Sequence, residues 1–212
     1  MHYSGSRPRS FGFDSTHPRP DTINYQLNAN TGRASWLTRD ANLDDYTRQF
    51  FAGARQPAQF EFFAMSTVKG RAAPAPLASL PPPTATLLSR TEQDGKSVVQ
   101  IRLASRRHAP AIEAAVGTGP ITAAAIDGQP VALKASDRRG ELKFIYWALP
   151  RQGIPITLTI PAGSPIRLSV HDISYGLPRI PGHTYKPRPT DTMPGLAFAG
   201  DATLVTRTLT LH

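Results

Sequence analysis

Val99, Ile101 and Leu103 alternate with Val98, Gln100 and Arg102 along residues 97–104, the period-two pattern of a strand with one buried face. Asp94-Gly95 stands just before this run. That dipeptide accepts two successive left-handed residues, so 85–91 and 97–104 are expected to form a tight hairpin. Short apolar runs at 111–116, 121–126, 131–134, 141–148, 154–160, 166–170 and 202–211 follow, separated by Asp127-Gly128, Arg139-Gly140 and Gln152-Gly153, at the turn spacing of a sandwich. Nearer the N-terminus, 22–27 and 34–38 flank the turn-forming Asn-Ala-Asn-Thr-Gly at 28–32. They predict a second hairpin with Tyr25, Leu27 and Trp36 on its buried face. The period then changes. Leu43, Tyr46, Phe50 and Phe51 are spaced for one face of a helix over 43–52, with Asp40 or Asn42 as cap, Asp44 and Asp45 in the first turn and Gly53 as stop.

These elements predict an all-β fold: an antiparallel β-sandwich with one short helix and long Pro/Gly-rich loops. Residues 1–20 are expected to be an extended arm, and 21–68 a hairpin plus helix docked on the sandwich, with Phe60, Phe62 and Phe63 against a sheet. Residues 69–83, carrying Pro74, Pro76, Pro81, Pro82 and Pro83, read as a semi-extended connection that cannot join a ladder in its middle and as a module boundary, and 84–212 as the sandwich. Composition agrees with this picture. The 16 Gly and 21 Pro among 212 residues starve long helices, and 40% hydrophobic residues suffice for a core. The longest uncharged run, 72–89, holds five prolines and cannot span a membrane as a helix. Residues 1–16 lack the apolar stretch of a signal peptide.

Chemistry is scarce. The absence of Cys removes disulfides, thiolate metal sites and cysteine nucleophiles. The net charge of +9 comes from 19 Arg and 5 Lys spread along the chain, clustered only at Arg102, Arg106, Arg107 and at Arg138, Arg139. Such scatter fits Arg-rich codon usage better than a nucleic-acid surface, although a stand-alone module for a polyanion, nucleic acid or carbohydrate, stays as the alternative function. The four Glu residues are isolated from other acids, and no His-Glu-x-x-His, Gly-x-Ser-x-Gly or Walker pattern occurs. Trp36 and Trp147 are expected in the core rather than stacking on a sugar or base. His171, Asp172 and Ser174 form the densest polar cluster. It could be a charge relay or part of a metal site, but neighbours on a strand face opposite ways, so a structural role for Asp172 and Ser174, bonding turn amides, is the expected one. The sequence assigns no catalytic residue and no metal ligand.

Three ordered stretches carry a resemblance: Pro-Asp-Thr-Ile-Asn-Tyr-Gln-Leu-Asn-Ala-Asn-Thr-Gly-Arg-Ala-Ser-Trp at 20–36, Val-His-Asp-Ile-Ser-Tyr-Gly-Leu-Pro at 170–178, and 193–207 with its Asp-Ala-Thr-Leu-Val-Thr-Arg end. Together they resemble the C-terminal soluble region of multi-pass membrane metallopeptidases of the aminopeptidase Y-like zinc exopeptidase family, relatives of the endoplasmic-reticulum metallopeptidase felix-ina. The resemblance implies a β-rich region that follows a peptidase domain and several membrane helices, on the extracytoplasmic side, which is the periplasmic face of a bacterial inner membrane. The family's His-x-Asp and Glu-Glu zinc ligands have no counterpart here. The implied role is therefore a non-catalytic accessory domain, with no cofactor of its own and with zinc held by a peptidase domain that this chain lacks. Its implied partners are the peptidase and membrane domains. The arm would link to the last membrane helix; Arg7, Arg9 and Arg19 could touch anionic lipid heads, but a merely solvated linker is the expected account.

Residues 172–201 are too rich in Pro and Gly for regular structure and predict a long loop anchored by Tyr175, Leu177, Tyr185, Leu196 and Phe198. One reading has it covering an open sheet edge. The other has it meeting a peptidase domain or its substrate through Tyr175, Arg179, Tyr185 and Arg188.

Overall fold

The computed structural model describes residues 12–52, 56–61, 67–195 and 200–212. In chain order the strands are β1 (Arg19–Asp21), β2 (Asn24–Asn28), β3 (Arg33–Thr38), β4 (Gln56–Glu61), β5 (Thr67–Ala75), β6 (Thr84–Gln93), β7 (Lys96–Ala104) and β8 (Ala111–Gly117). They continue with β9 (Ala123–Ile126), β10 (Gln129–Pro130), β11 (Glu141–Trp147), β12 (Ile154–Pro161), β13 (Ile166–Tyr175), β14 (Thr192–Pro194) and β15 (Ala202–Leu211). Two single helical turns, α1 (Asp45–Arg48) and α2 (Ala135–Arg138), complete the set, with a 3-10 turn at Gln49–Phe51 running on from α1.

The strands form a mostly antiparallel, sandwich-like all-β fold. One sheet runs β10-β9-β12-β7-β6, a larger one runs β11-β8-β13-β15-β2-β3-β5-β4, and β1 pairs with β14 in parallel. Local turn chemistry builds the hairpins. Asp94 and Gly95 have φ of 51° and 72°, so the β6–β7 turn has both central residues left-handed, which matches the twist of the flanking strands. Alternation then builds the main core. Val99, Ile101 and Leu103 from β7 and Ile154, Ile156, Leu158 and Ile160 from β12 pack against Ile112, Ala114 and Val116 of β8 and Leu168 and Val170 of β13. Each fully buried Ile or Leu there contributes ~1.5–3 kcal/mol, so apolar burial between the layers holds them together.

The smaller sheet covers only the β11-β8-β13 half of the larger one, and the other half needs a different cover. Tyr25, Leu27, Ala34, Trp36, Ala73 and Val205 make that apolar face, and Leu43, Tyr46, Phe50, Phe51 and Ile180 pack onto it. The aromatic spacing expected for the helix is therefore realised, but in a shorter element. Asp44, rather than Asp40 or Asn42, is the N-cap: its carboxylate accepts from the Thr47 amide at 2.7 Å, and the Thr47 hydroxyl accepts from the Asp44 amide at 3.0 Å. That reciprocal pair fixes the start of the helix at Asp45, directly after the cap. Asp44→Ala is expected to lower stability by ~1 kcal/mol in urea denaturation, because the cap bond is lost and Arg19 loses its ion-pair partner.

Four expectations change. The middle of 69–83 is expected to stay out of a ladder, yet β5 pairs with β3 as far as Ala75, with Pro74 opposite Ser35. The proline is tolerated because the β4 pairing stops at Ala72, which leaves Pro74 on a stretch without a second ladder partner among the described residues. The 21–68 segment does not dock on the sandwich from outside; β2 and β3 belong to its larger sheet, joined through a parallel pairing of β2 with β15. No strand forms at 131–134. β10 ends at Pro130 and the chain turns into α2, while Val131 and Leu133 still pack against the main core. Finally, β13 does not end at Val170, since it pairs with β15 as far as Tyr175 opposite Ala202. The expected Gly53 stop, the packing of Phe62 and Phe63, and the Leu196 and Phe198 anchors lie outside the described residues, as do Arg7 and Arg9.

Candidate functional site

Because β13 runs to Tyr175, the polar cluster lies within a strand, and alternation divides it. Asp172 shares the face of Leu168 and Val170, towards the smaller sheet, and its carboxylate is fully buried. It accepts from Arg107 Nε at 2.9 Å and from Ser105 Oγ at 2.5 Å. The same guanidinium donates to the Asp172 carbonyl at 3.1 Å, to the Thr203 carbonyl at 2.8 Å and to Ser174 Oγ. Ser105 Oγ also accepts from the Arg107 and Ala109 amides, at 3.3 and 3.0 Å. Burial pushes the Asp172 carboxyl above its ordinary value, and the Arg107 charge and the Ser105 hydroxyl draw it only part of the way back. The turn amides are thus bonded by Ser105, which Asp172 orients, rather than by Asp172 and Ser174 themselves. This cluster pins the end of β7 to β13 and β15.

His171 points the other way. Its Nδ1 lies 2.8 Å from Thr206 Oγ1 and its Nε2 3.4 Å from Ser169 Oγ. The ladder places Glu113 of β8 opposite His171 on one side and Thr206 of β15 on the other. A carboxylate, an imidazole and a hydroxyl therefore share a row that spans three strands, all of them buried. Sequence reasoning missed this row because its members are far apart in the chain. The available signal was a Glu inside the otherwise apolar run at 111–116.

The residues expected to make an interaction surface divide as well. Tyr175 is 62% exposed and does not anchor the loop. Arg179 and Tyr185 line a crevice of about 480 Å³ together with Tyr46, Phe50, Leu177, Ile180, His183 and Lys186. Stacking fixes its floor. The Tyr185 ring lies 4.8 Å from Phe50 and 5.5 Å edge-on to Trp36. Polar bonds fix its wall: Gln49 accepts from the Lys186 amide at 2.7 Å and donates to the Lys186 carbonyl at 3.2 Å. Burial raises the Tyr185 hydroxyl above its usual titration range. Leu177, Ile180 and Tyr185 cover the face of the larger sheet rather than its edge.

Arg188 is not a surface contact. It turns inward to bond Asp21 of β1 and Asp201 before β15, and its guanidinium carbon stands 4.3 Å from the Tyr46 ring centre. Burial lifts the Asp21 carboxyl to about 6 against the opposing pull of Arg188, and Asp44 nearby pushes it further up. Arg19, expected in a solvated linker with lipid heads as the other reading, bonds Asp44 at 2.9 Å. Trp36 lies in the core, whereas Trp147 is 37% exposed at the end of an edge strand. Among the described residues no cluster of three His, Asp or Glu side chains is arranged to hold a metal ion, and no helix is long and apolar enough to cross a membrane. Comparison of the sequence with protein-family models and with curated proteins gives no match.

Proposed function

We propose that the chain is a non-catalytic, extracytoplasmic accessory module of a membrane-bound zinc peptidase of the aminopeptidase-like type, and that the crevice around Arg179 and Tyr185 is the face it offers to the peptidase domain or its substrate. One contrast carries this reading. Two of the buried acids, Asp172 and Asp21, are engaged by Arg107 and Arg188 in holding layers together, and a third, Glu113, lies in a buried row with His171 and Thr206 within the larger sheet, while the 177–186 crevice is open, held by its stacked floor and by Gln49, and rimmed by Arg179 and Lys186. Asp201 also lines the crevice but is held by Arg188, so an aromatic floor with Arg179 and Lys186 on its rim suits a peptide segment that presents an acidic group beside an apolar one. Zinc, in this reading, belongs to the peptidase domain, and membrane helices outside this chain deliver the module across the bilayer.

The test uses the longest natural polypeptide that carries this chain. Arg179 makes no ion pair or side-chain hydrogen bond among the described residues, so Arg179→Ala combined with Lys186→Ala is expected to leave the melting temperature unchanged. Peptide hydrolysis by the whole polypeptide is expected to fall several-fold, through KM or through domain association. Unchanged hydrolysis would retire the crevice as a working surface. Stoichiometric zinc with peptide turnover in the isolated chain would retire the accessory reading itself.

A further inference from the structure

At the far end of the sandwich from this crevice, the turn after β8, the turn after α2 and the β12–β13 turn enclose a hollow of about 470 Å³ lined by Gly117, Thr118, Gly119, Arg139, Gly140, Glu141, Ser164, Pro165 and Arg167. We infer that this hollow is a binding site for a tetrahedral oxyanion, a phosphate group free or in ester linkage, held between the guanidinium groups of Arg139 and Arg167.

Strand register makes the space. Gly117 on β8 stands between Glu141 of β11 and Arg167 of β13. Without a side chain there, the row opens into a floor, and a Cβ at Gly117 would already lie 3.9 Å from that of Arg167. Close main-chain packing makes the walls rigid. The Thr118 amide donates to the Gly140 carbonyl at 2.9 Å, and the Gly140 amide donates to the Asp137 carbonyl at 2.9 Å. Gly140 has a φ of +96°, and a Cβ on it would meet the Thr118 carbonyl oxygen at 2.2 Å, so only glycine permits this approach.

The polar groups around the hollow point to an anion. Among the described residues, neither Arg139 nor Arg167 makes an ion pair or a side-chain hydrogen bond. Two arginines from separate segments thus line one space with their donors uncommitted among the described residues, a pairing from which bidentate phosphate recognition can be built. Thr118 Oγ1 is buried without a hydrogen-bond partner among the described residues. A third cation stands behind the wall, where Arg90 donates to the Ser164 carbonyl at 3.3 Å. Glu141 is the one opposing charge in the lining, so the local balance remains positive. This site is independent of the accessory reading and of the 177–186 crevice.

The test is calorimetric titration of the chain with inorganic phosphate at constant ionic strength, with sodium chloride as the control titrant. Saturable one-to-one binding is expected. Arg139→Ala and Arg167→Ala should each weaken it about tenfold or more, and Glu141→Gln should strengthen it several-fold by removing the repelling carboxylate. Arg138→Ala, on a neighbouring exposed arginine outside the lining, should leave it unchanged. Thermal melts check that every variant is folded. Glycerol phosphate and phosphatidylcholine vesicles containing phosphatidic acid then distinguish a soluble ester from a lipid headgroup, both under loss in Arg167→Ala. The assignment is overturned by failure to saturate with phosphate at tens of millimolar, by unaltered affinity in the Arg139 and Arg167 variants, or by an oligonucleotide that binds all variants equally while phosphate does not bind.

Discussion

Replacing Asp172 by Ala is expected to destabilise the protein by ~3–5 kcal/mol, the largest loss among single substitutions of polar residues here. The carboxylate is fully buried and receives Arg107 and Ser105. Its removal leaves a mostly buried guanidinium without its counter-charge and frees the Ser105 hydroxyl that bonds two amides of the turn. Arg107→Ala should cost a comparable amount, since it strands the buried carboxylate. The double variant should lose less than the sum, because neither charge is then left alone. Asp172→Asn should fall between wild type and Asp172→Ala, since the amide keeps the shape and, with burial already favouring the neutral carboxyl, sacrifices mainly the attraction to Arg107. Urea denaturation of the four variants at neutral pH measures this. Equal stability of Asp172→Ala and wild type would mean that the junction between the layers is held by apolar contact alone.

The second large effect is a dependence of stability on pH between about 4 and 6. The Asp21 carboxyl is raised to about 6 in the folded protein from an unfolded value near 3.8. The folded state therefore holds its proton more tightly. The contribution of this group to stability is complete below the unfolded value and is lost as pH rises through about 6. A shift of roughly two units, in which the pull of Arg188 is already included, corresponds to ~3 kcal/mol at most, and solvent screening brings the expected loss to ~2 kcal/mol. Asp44 has the opposite sign: its lowered carboxyl stabilises the fold above its unfolded value and loses that contribution on acidification. The charges facing Asp21 come from several elements: Arg188 from the long loop, Asp201 before β15, and Asp44 at the cap of α1, which itself holds Arg19. Asp21→Asn should flatten the pH profile between about 4 and 6 and leave the chain at least as stable as wild type at pH 8. A profile that stays steep in this variant would place the titration elsewhere.

Local chemistry made much of this protein readable before its structure. The β6–β7 hairpin follows from Asp94-Gly95 and the alternation after it. The buried face shared by Tyr25, Leu27 and Trp36 and the aromatic face at 43–51 follow from residue spacing alone. Each of these depends on residues only a few positions apart, which the chain's own period determines. Helix length was less legible: the cap is the Asp44–Thr47 pair, and the α-helix gives way after one turn to a tighter turn at Gln49–Phe51, from which Phe50 and Phe51 pack on the face below.

The absence of Cys and the alternation that sets His171 and Asp172 on opposite faces are properties of the sequence by itself, and so is the all-β class, which follows from turn spacing and from the shortage of long helical patterns. Which strands join was decided only by tertiary structure. β2 lies beside β15, which follows it by some 175 residues, and Pro74 can sit in a strand because of where β4 stops. Register with Ala202 carries β13 past its polar residues to Tyr175, and the same ladder lines up Glu113, His171 and Thr206. Arg107 and Arg188 resemble any other arginine in the chain until folding encloses each with an aspartate. Val131 and Leu133 carry a strand-like pattern, but after the Val131 amide bonds the Ala124 carbonyl of β9 the chain leaves that strand for α2, and both side chains enter the core from an irregular stretch instead. The physical reason is common to all of these. A β-strand satisfies its backbone only through another strand, so pairing, register and the fate of a buried charge depend on which distant segments meet, and burial of apolar surface between the layers makes that choice.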